Sequence, residues 1–463
     1  MSSFGGGGGD RDSDSNDYSQ GSPKKHRISE KVEEDDPQWE DKSKVVFEPS
    51  KKLNFHIGCR TDIGGGRENQ DDSFTWESPD HEGPKVVAMG MFDGHGREVG
   101  KTAAKAGVKK MLEFFNINWR ELLHKSTAYE CLVRAFKESH EYIKETFRSK
   151  LEEDGFIVSE DPEGYLLKRL PWHHVDSCVH GGATCSLIVF VGTLMYTVNV
   201  GDSAALLSTM FPVLKQRMLN HIGDAALPND APPPHRVQEG VDEADVKLVL
   251  TCEHSPESIS EYMRMMAFRH REGDETQPAL SFVYDSPTQD KSQCPPIFFR
   301  DVNDILAVTG KGKYVKNVRR EWASIVSTPA SARFQDGLAF TRSLADFHLQ
   351  TYGVTYLPEV QVIDLQDVFT SLDGITIEPG QHPMSKKMFC VVLATDGLWD
   401  NWTFEDLQKF VMDTNRFNQV FQPEGGGIEE VAEQLMAENI RRARVNFGIN
   451  SDNATFTIAY FSI

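Results

Sequence analysis

Residues 183–208, ATCSLIVFVGTLMYTVNVGDSAALLS, contain two apolar runs separated only by Gly192-Thr193. A two-residue link that begins with glycine is typical of a type II′ hairpin, in which the glycine takes a positive φ angle. Strands joined by so short a link must pair antiparallel. The stretch therefore predicts an antiparallel sheet and argues against a doubly wound parallel sheet.

Helical periodicity follows one predicted strand and precedes the hairpin. Val86–Phe92 is a short apolar run suited to a buried strand, and apolar residues at near-helical spacing then predict two long helices between residues 98 and 147. Further strand patterns occur at 388–402 and at the C-terminal stretch 452–463. Strands and helices are segregated rather than strictly alternating, which indicates an α+β protein.

The composition restricts the function classes. The chain has 463 residues and a net charge of -21, so a general nucleic-acid binder is not expected, because the phosphate backbone would meet a field of like sign. The seven cysteines are dispersed without CxxC spacing, which is typical of reduced intracellular thiols. There is no apolar run of about 18 residues, so we expect no membrane span. These features favour a cytoplasmic or nuclear monomer.

The first 50 residues are rich in Gly, Ser, Asp and Lys, and such a segment buries too little apolar area to offset its chain entropy. We expect a disordered polar tail, in which the basic group KKHR at 24–27 is either a nuclear signal or an ordinary charged stretch. A single globular domain is expected at 51–463, with irregular insertions at about 209–247 and 270–335. The second insertion includes the basic stretch KGKYVKNVRR, interpreted as a solvated charge run or as a docking surface for an acidic phosphoprotein.

Acidic residues stand where the predicted strands begin or end. Each is an ordinary turn former when considered alone. Strand ends of packed sheets can converge on one rim, however, and carboxylates gathered there would repel one another unless cations intervened. The acids concerned are Asp71, Asp72, Asp93, Asp202, Asp396 and Asp452.

Oxygen ligands of this kind suit Mg²⁺ or Mn²⁺. No compact His/Cys set accompanies the acids, and His173-His174 are expected in a loop, so zinc is not expected at this rim. Two cations that share a water suit in-line attack on phosphorus. Arg67 then suits the phosphate oxygens and His95 suits proton donation to the leaving group. The alternatives are a surface cation at Arg67 and a helix N-terminal residue at His95.

The ordered motifs of this sequence resemble those of the metal-dependent Ser/Thr protein phosphatases of type 2C. The resemblance covers about residues 53–463 apart from the insertions. The motifs are TDIGGGRENQDDSF (61–74), FDGHG (92–96), GGATCSLIVF (181–190), NVGDSAALL (199–207), LTCEHSP (250–256), GLAFTRSLADF (337–347), YLPEV (356–360), LATDGLWD (393–400) and SDNATFTIAYF (451–461).

This resemblance implies a four-layer α-β-β-α sandwich of two antiparallel sheets flanked by helices, with the metals at one rim. It also implies hydrolysis of phosphoserine and phosphothreonine in phosphoprotein partners, with two Mg²⁺ or Mn²⁺ ions and a third, weaker site at Asp202. The implied site residues are Arg67 for phosphate, His95 as general acid, the bridging Asp93, the Gly94 carbonyl, the pair Asp71-Asp72 (or, shifted by one residue, Gln70-Asp71), Asp396, Asp452 and, in support, Asn453.

Several positions depart from the family pattern. Arg97 replaces the glycine usual after DGHG, Ala204 stands where GDSR has arginine, and Ala345 replaces the glycine of a Gly-Asp pair. These departures leave open a catalytically weak or inactive member that binds phosphoproteins as a regulator. Another two-metal hydrolase, such as a nuclease, is a third alternative, although the acidic charge argues against it.

Overall fold

A computed structural model describes residues 45–46, 53–66, 68–214, 220–221, 244–251, 254–268, 279–365, 388–421 and 427–462. Apart from the short strand Val45–Val46, the predicted tail lies outside the described residues, as do KKHR and Arg67.

The first sheet has six strands in the order β1-β2-β23-β22-β12-β14, and every pairing is antiparallel. The second sheet has six strands in the order β13-β21-β11-β10-β4-β3, again antiparallel throughout. In chain order these strands are β1 Val45–Val46, β2 Asn54–Asp62, β3 Asp72–Glu77, β4 Val86–Phe92, β10 Cys185–Val191, β11 Leu194–Val200, β12 Ala204–Leu214, β13 Asn220–His221, β14 Ala244–Val249, β21 Glu359–Asp364, β22 Met388–Ala394 and β23 Ala454–Ser462.

Smaller sheets connect the loops around the two large ones. They are β5-β9-β20 (Gly94–His95, Gly182–Ala183, Leu344–Ala345), β6-β7-β8 (Ile157–Glu160, Leu166–Arg169, Ser177–Cys178), β15-β18-β19 (Ser281–Tyr284, Ser324–Ser327, Gly337–Leu338) and β16-β17 (Phe298–Arg300, Leu306–Val308). The stretch 279–335 is therefore not irregular as expected, because it contains four short strands.

The helices are α1 Gly100–Asn118, α2 Lys125–Glu153, α3 Ile259–Ala267, α4 Phe347–Gln350, α5 Asp396–Trp399, α6 Phe404–Val411, α7 Thr414–Phe421 and α8 Gly427–Asn446. Short 3-10 turns occur at Trp119–Leu123, Lys291–Gln293 and Gly448–Asn450. The two long helices predicted between residues 98 and 147 are confirmed as α1 and α2.

Alternation of side chains along the strands produces four layers, because successive residues of a strand point to opposite faces. In β4, Val87, Met89 and Met91 face the other sheet and pack with residues of β2, β12, β22 and β23. Val86 and Ala88 face outward and pack with α1 and α2. The outer face of the first sheet is covered in the same way by α5 to α8. The predicted α-β-β-α sandwich is confirmed.

The hairpin prediction is also confirmed. Strands β10 and β11 pair from Cys185↔Val200 to Val191↔Leu194, and Gly192 has a φ of 59°. Both strands read as nearly continuous apolar runs because helices cover one face of their sheet and the other sheet covers the opposite face.

The small sheet β5-β9-β20 contains a strained turn. Ala345 and Asp346 have φ angles of 66° and 46°, in the left-handed region that a residue with a Cβ occupies at a cost of about 1–2 kcal/mol. Alanine in place of glycine at position 345 therefore strains the backbone of this turn. The buried Ala345 backbone N–H donates to Nδ1 of His140 on α2 at 3.1 Å, which holds the turn against the helix.

We predict that Ala345→Gly is more stable than Ala183→Gly by about 1–2 kcal/mol, because only the first change relieves a positive φ angle. Both alanines are buried in the same small sheet, so each variant loses one buried methyl group and gains the same freedom in the unfolded chain. Urea unfolding of the two variants measures the difference. Equal unfolding free energies would show that the turn is not strained.

Candidate metal and phosphate site

Five of the predicted acids lie at one end of the two sheets. Asp71 precedes β3 and Asp93 follows β4, and the pairing Asp72↔Phe92 places them side by side. Asp202 follows β11, whose end is brought near the end of β4 through β10. In the first sheet, the end of β22 lies beside the start of β23, which brings together Asp396 and Asp452.

The Asp71 carboxylate connects the two sheets. Its Oδ2 accepts a hydrogen bond from Oγ1 of Thr395, at the end of β22, at 3.0 Å. Thr455, at the start of β23, and Asp93 both lie close enough to Asp71 to influence its pKa. Asp71, which precedes β3 of the second sheet, is thus in direct contact with Thr395, which follows β22 of the first sheet.

The five acids form an electrostatic cluster. Burial and then the charge of Asp452 raise the pKa of Asp71 to about 7, although hydrogen bonding lowers it in part. The pKa of Asp93 is well above its ordinary value through burial and then through the charges of Asp71, Asp396, Asp452 and Asp202. Burial, followed by Asp202 and Asp452, likewise raises the pKa of Asp396, and burial and Asp202 raise that of Asp452. Burial and the charges of neighbouring acids therefore disfavour ionisation of Asp71, Asp93, Asp396 and Asp452.

Unsatisfied oxygen atoms in the cluster fit a bound cation. Oδ1 of Asp71 and Oδ1 of Asp202 are buried and have no hydrogen-bond partner among the described residues. Leaving such acceptors without a partner costs free energy, whereas Mg²⁺ and Mn²⁺ bind carboxylate oxygens directly. The donor set is composed of oxygen atoms, so the residues present fit the predicted hard divalent ions.

Asp72 does not join this cluster. It is the first residue of β3, and its Oδ1 accepts from the backbone N–H of Ser73 at 2.9 Å. Adjacent residues of an extended chain point to opposite sides, so Asp71 and Asp72 do not present their carboxylates to the same place. The register that uses Gln70-Asp71 in the acidic pair is the one that the structure favours over Asp71-Asp72.

Asn453 joins the start of β23 to the loop that precedes β3. Its Oδ1 accepts from the backbone N–H of Gln70 at 2.9 Å, and its Nδ2 donates to the carbonyl of Ile63 at 2.7 Å. Its backbone N–H donates to Oδ1 of Asp452 at 2.8 Å. The supporting role predicted for Asn453 has these contacts as its physical basis.

Close backbone packing explains Gly94. A Cβ atom at this position would stand 2.3 Å from the carbonyl oxygen of Gly100 and 2.6 Å from that of Gln70. Only glycine lets the turn after β4 approach the Gln70-Asp71 segment so closely. This requirement accounts for the glycine next to Asp93, and the predicted ligand role of its carbonyl stays a prediction.

His95 is held by a residue that the sequence did not single out. Its Nε2 lies 2.8 Å from Oδ2 of Asp346, which also accepts from Oγ of Ser343 at 2.7 Å. The small sheet creates this contact, because β9 pairs with β5 on one side and with β20 on the other. Loss of water lowers the pKa of His95, but the Asp346 carboxylate outweighs it, so that the pKa is raised overall.

A cleft of about 510 Å³ opens beside the cluster. Arg97, the residue that departs from the family pattern after DGHG, is exposed and lines this cleft together with Asp452 and Asn453. Arg67, the predicted phosphate ligand, is not among the described residues, although its neighbours Gly66 and Glu68 line the same cleft.

The basic stretch of the second insertion lies against this end of the molecule. The Arg319 side chain is 16% exposed, donates to the carbonyl of Trp399 and lies over the Phe404 ring at 5.3 Å. Lys316 is close enough to lower the pKa values of Asp396 and Asp400. Arg319 is therefore packed against α5 and α6, whereas Lys311, Lys313 and Arg320 are exposed, as the interpretation as a solvated charge run predicts. The docking interpretation stays a prediction.

Asp400 is a further acid that the sequence analysis quoted in a motif but gave no role. Burial and Asp202 raise its pKa to about 6, even though Lys316 and Arg319 lower it. It lies between the carboxylate cluster and the basic stretch. The motif DGLWD does not by itself indicate that Lys316 and Arg319 of the insertion lie near Asp400.

Comparisons with known proteins agree with the sequence motifs. The model of the family "Protein phosphatase 2C" matches residues 320–447. "Probable protein phosphatase 2C 34" of Arabidopsis thaliana is 28% identical over 336 residues, which cover 72% of this chain and 63% of that relative. The chain thus spans less than two thirds of the length of this relative.

Two solved structures are similar to the structure of this chain. The serine-threonine phosphatase 2C of Toxoplasma gondii covers 92% of this chain at 15% identity with a TM-score of 0.48. The serine/threonine phosphatase of Mycobacterium tuberculosis covers 88% at 14% identity with a TM-score of 0.37. In the described part of the chain, no helix is sufficiently long and apolar to cross a membrane. The family model and the Arabidopsis relative confirm the resemblance of this chain to the protein phosphatase 2C family.

Proposed function

We propose that this protein hydrolyses phosphoserine and phosphothreonine in phosphoprotein partners with the help of Mg²⁺ or Mn²⁺. The observation that carries the proposal is the carboxylate cluster, in which Oδ1 of Asp71 and Oδ1 of Asp202 are buried without a hydrogen-bond partner among the described residues. The pair His95–Asp346 lies next to it. The family resemblance supports the same class of reaction.

The acids that converge from both sheets would hold the ions. Asp71, Asp93, Asp396 and Asp452 would bind two cations together with the Gly94 carbonyl, and Asp202 would bind a third, weaker one. When bound, such ions lower the pKa of water and neutralise charge on a phosphoryl group. Thr395 fixes one oxygen of Asp71 by its hydrogen bond, which leaves the buried Oδ1 available.

His95 would protonate the leaving serine or threonine oxygen. Asp346 accepts from Nε2 and raises the pKa of the ring, so that the imidazolium form persists to higher pH. The proton available for transfer is then the one on Nδ1, which has no hydrogen-bond partner among the described residues. Phe340 contacts the ring edge-on at 5.2 Å and limits its rotation.

Two arginines are candidates for the phosphate oxygens. Arg67 follows Gly66, which lines the cleft, and Arg97 lines the cleft itself. A guanidinium group can donate two parallel hydrogen bonds to a phosphate. We assign the main role to Arg67 and an auxiliary one to Arg97. A monomeric state and a cytoplasmic or nuclear location also stay proposals.

We predict that the purified protein releases phosphate from a phosphothreonine peptide only with Mg²⁺ or Mn²⁺, and that Asp93→Asn reduces kcat steeply. The reason is that the charges of four other acids act on the Asp93 carboxyl, which places it at the centre of the cluster. Phosphate release with and without EDTA is the measurement. Turnover that survives the chelator would exclude the proposal.

The same assay separates the alternatives. Binding of the phosphopeptide without turnover under any divalent metal would identify a regulatory member, which the departures at Arg97, Ala204 and Ala345 leave open. Faster cleavage of a simple phosphodiester than of the phosphopeptide would identify a different two-metal hydrolase.

We also predict that His95→Gln slows phosphoserine hydrolysis about 10²–10⁴-fold, the usual contribution of a general acid, but slows p-nitrophenyl phosphate hydrolysis far less. Nitrophenolate leaves readily as an anion, whereas a serine alkoxide needs a proton. The ratio of the two kcat values is the measurement.

His174→Gln is the matched control, since His174 is exposed in a loop, and we expect it to leave both rates unchanged. An equal loss on both substrates in His95→Gln would contradict proton donation by His95 and would indicate a purely structural role.

A further inference from the structure

Four side chains with metal-binding atoms converge outside the carboxylate cluster. His180 Nδ1 lies 2.8 Å from Oδ2 of Asp336 and 3.2 Å from Nε2 of His348, and that Nε2 lies 2.5 Å from the same oxygen. The ligand atom of Cys178 lies within 4.8 Å of those of both histidines. The sulfur and the two nitrogens therefore lie around a common point, and the Asp336 oxygen contacts both nitrogens.

The four residues come from three separate parts of the chain. Cys178 ends β8 and His180 follows two residues later, a spacing that puts both side chains on one side of an extended segment. Asp336 follows the second insertion, and His348 lies in α4. These segments are far apart in the sequence and show no metal-binding motif, so the group could not be predicted from the sequence.

Hydrogen bonds to the backbone orient the Asp336 carboxylate. Its Oδ1 accepts from the N–H of Gly337 at 2.8 Å, while its own N–H donates to Oγ1 of Thr328 at 2.8 Å. The second oxygen is thereby directed at the two imidazoles. Metal-binding carboxylates are commonly oriented by such contacts, which makes the arrangement one of a prepared ligand.

Burial is graded across the group. Cys178 and His348 are 4% and 1% exposed, whereas the side chains of His180 and Asp336 are 40% and 28% exposed. The inner pair is shielded from solvent and the outer pair gives an ion a path of entry. Tyr165, Leu167 and Phe334 pack around the sulfur and exclude water from that side.

We infer that Cys178, His180, Asp336 and His348 form a Zn²⁺ site distinct from the carboxylate cluster. Thiolate, imidazole and carboxylate are the ligands that zinc uses, and tetrahedral zinc separates its nitrogen and oxygen ligands by about 3.3 Å. The separations among the two nitrogens and the oxygen are 2.5–3.2 Å, and the sulfur lies within 4.8 Å of both nitrogens, so side-chain movements would bring the four atoms around one ion. The Cys178 thiol gives up its proton to solvent as the sulfur–zinc bond forms.

This site would fasten the second insertion to the segment that supports His95. His348 lies two residues after Asp346, and the Asp346 backbone N–H donates to the carbonyl of Gly181 at 3.3 Å, next to His180. A zinc ion would thus join the β8 segment, the exit of the insertion and α4. The inference about zinc does not depend on the proposed phosphatase activity.

The test is zinc binding by the full-length protein. After removal of metals, Zn²⁺ is titrated in the presence of excess Mg²⁺, and bound zinc is quantified against a competing zinc indicator. We expect one tight zinc ion per chain in the wild type. Cys178→Ser and His180→Gln should each weaken zinc binding by at least about tenfold, and Asp93→Asn should not.

Cys294→Ser is the matched control, since Cys294 is buried to a similar degree but lies outside the group. The His180→Gln variant is expected to fold normally, because the replaced side chain is partly exposed. It therefore tests zinc binding even if Cys178→Ser does not fold. Cobalt provides a second measurement: Co²⁺ should give a thiolate-to-cobalt charge-transfer band in the wild type and in Cys294→Ser, and none in Cys178→Ser.

Folded wild-type protein that binds no stoichiometric zinc under these conditions would overturn the inference. So would Cys178→Ser or His180→Gln variants that keep the wild-type zinc affinity. Either result would show that the two histidines and Asp336 form only a hydrogen-bonded network.

Discussion

Repulsion between carboxylates is the constraint on which the rest of this structure depends. Five acids are gathered at one end of two packed sheets, and burial, followed by the charges of neighbouring acids, raises the pKa values of Asp71, Asp93, Asp396 and Asp452. A protein built only for stability would not keep such a group, because each buried charge without a counter-ion is costly. The sandwich supplies the compensating free energy through its three hydrophobic clusters.

Short structural elements, rather than the large sheets, complete the site. The small sheet β5-β9-β20 brings His95 to Asp346, and Asn453 ties the start of β23 to the loop before β3. The strained turn at Ala345 and Asp346 lies in the same place. Backbone strain of this kind persists only where surrounding contacts determine it, and here those contacts include α2 and the backbone of Gly181.

The sequence predicted what depends on local patterns. The hairpin at Gly192, the helices α1 and α2 and the acids at strand ends all follow from periodicity and turn chemistry. Contacts between distant segments could not be predicted in this way. Asp346 reaches His95 across 251 positions, and Lys316 approaches Asp396 from an insertion. The choice between the pairs Asp71-Asp72 and Gln70-Asp71 required the side-chain direction, which the start of β3 determines.

The most direct measurement is the stability of the metal-free protein with one cluster charge removed. Near pH 8, the free energy of unfolding of Asp93→Asn should exceed that of the wild type by about 1–4 kcal/mol, the scale of one like-charge contact at about 4 Å for effective dielectrics between about 80 and 20. Asp72→Asn, which removes a neighbouring charge outside the cluster, should not. The gain should shrink as the pH falls through about 7, where Asp71 takes up a proton. At a hundredfold excess of Mn²⁺ over its Kd the wild type should instead gain about 2.7 kcal/mol. An Asp93→Asn variant that is no more stable than Asp72→Asn without metal would contradict a shared carboxylate site.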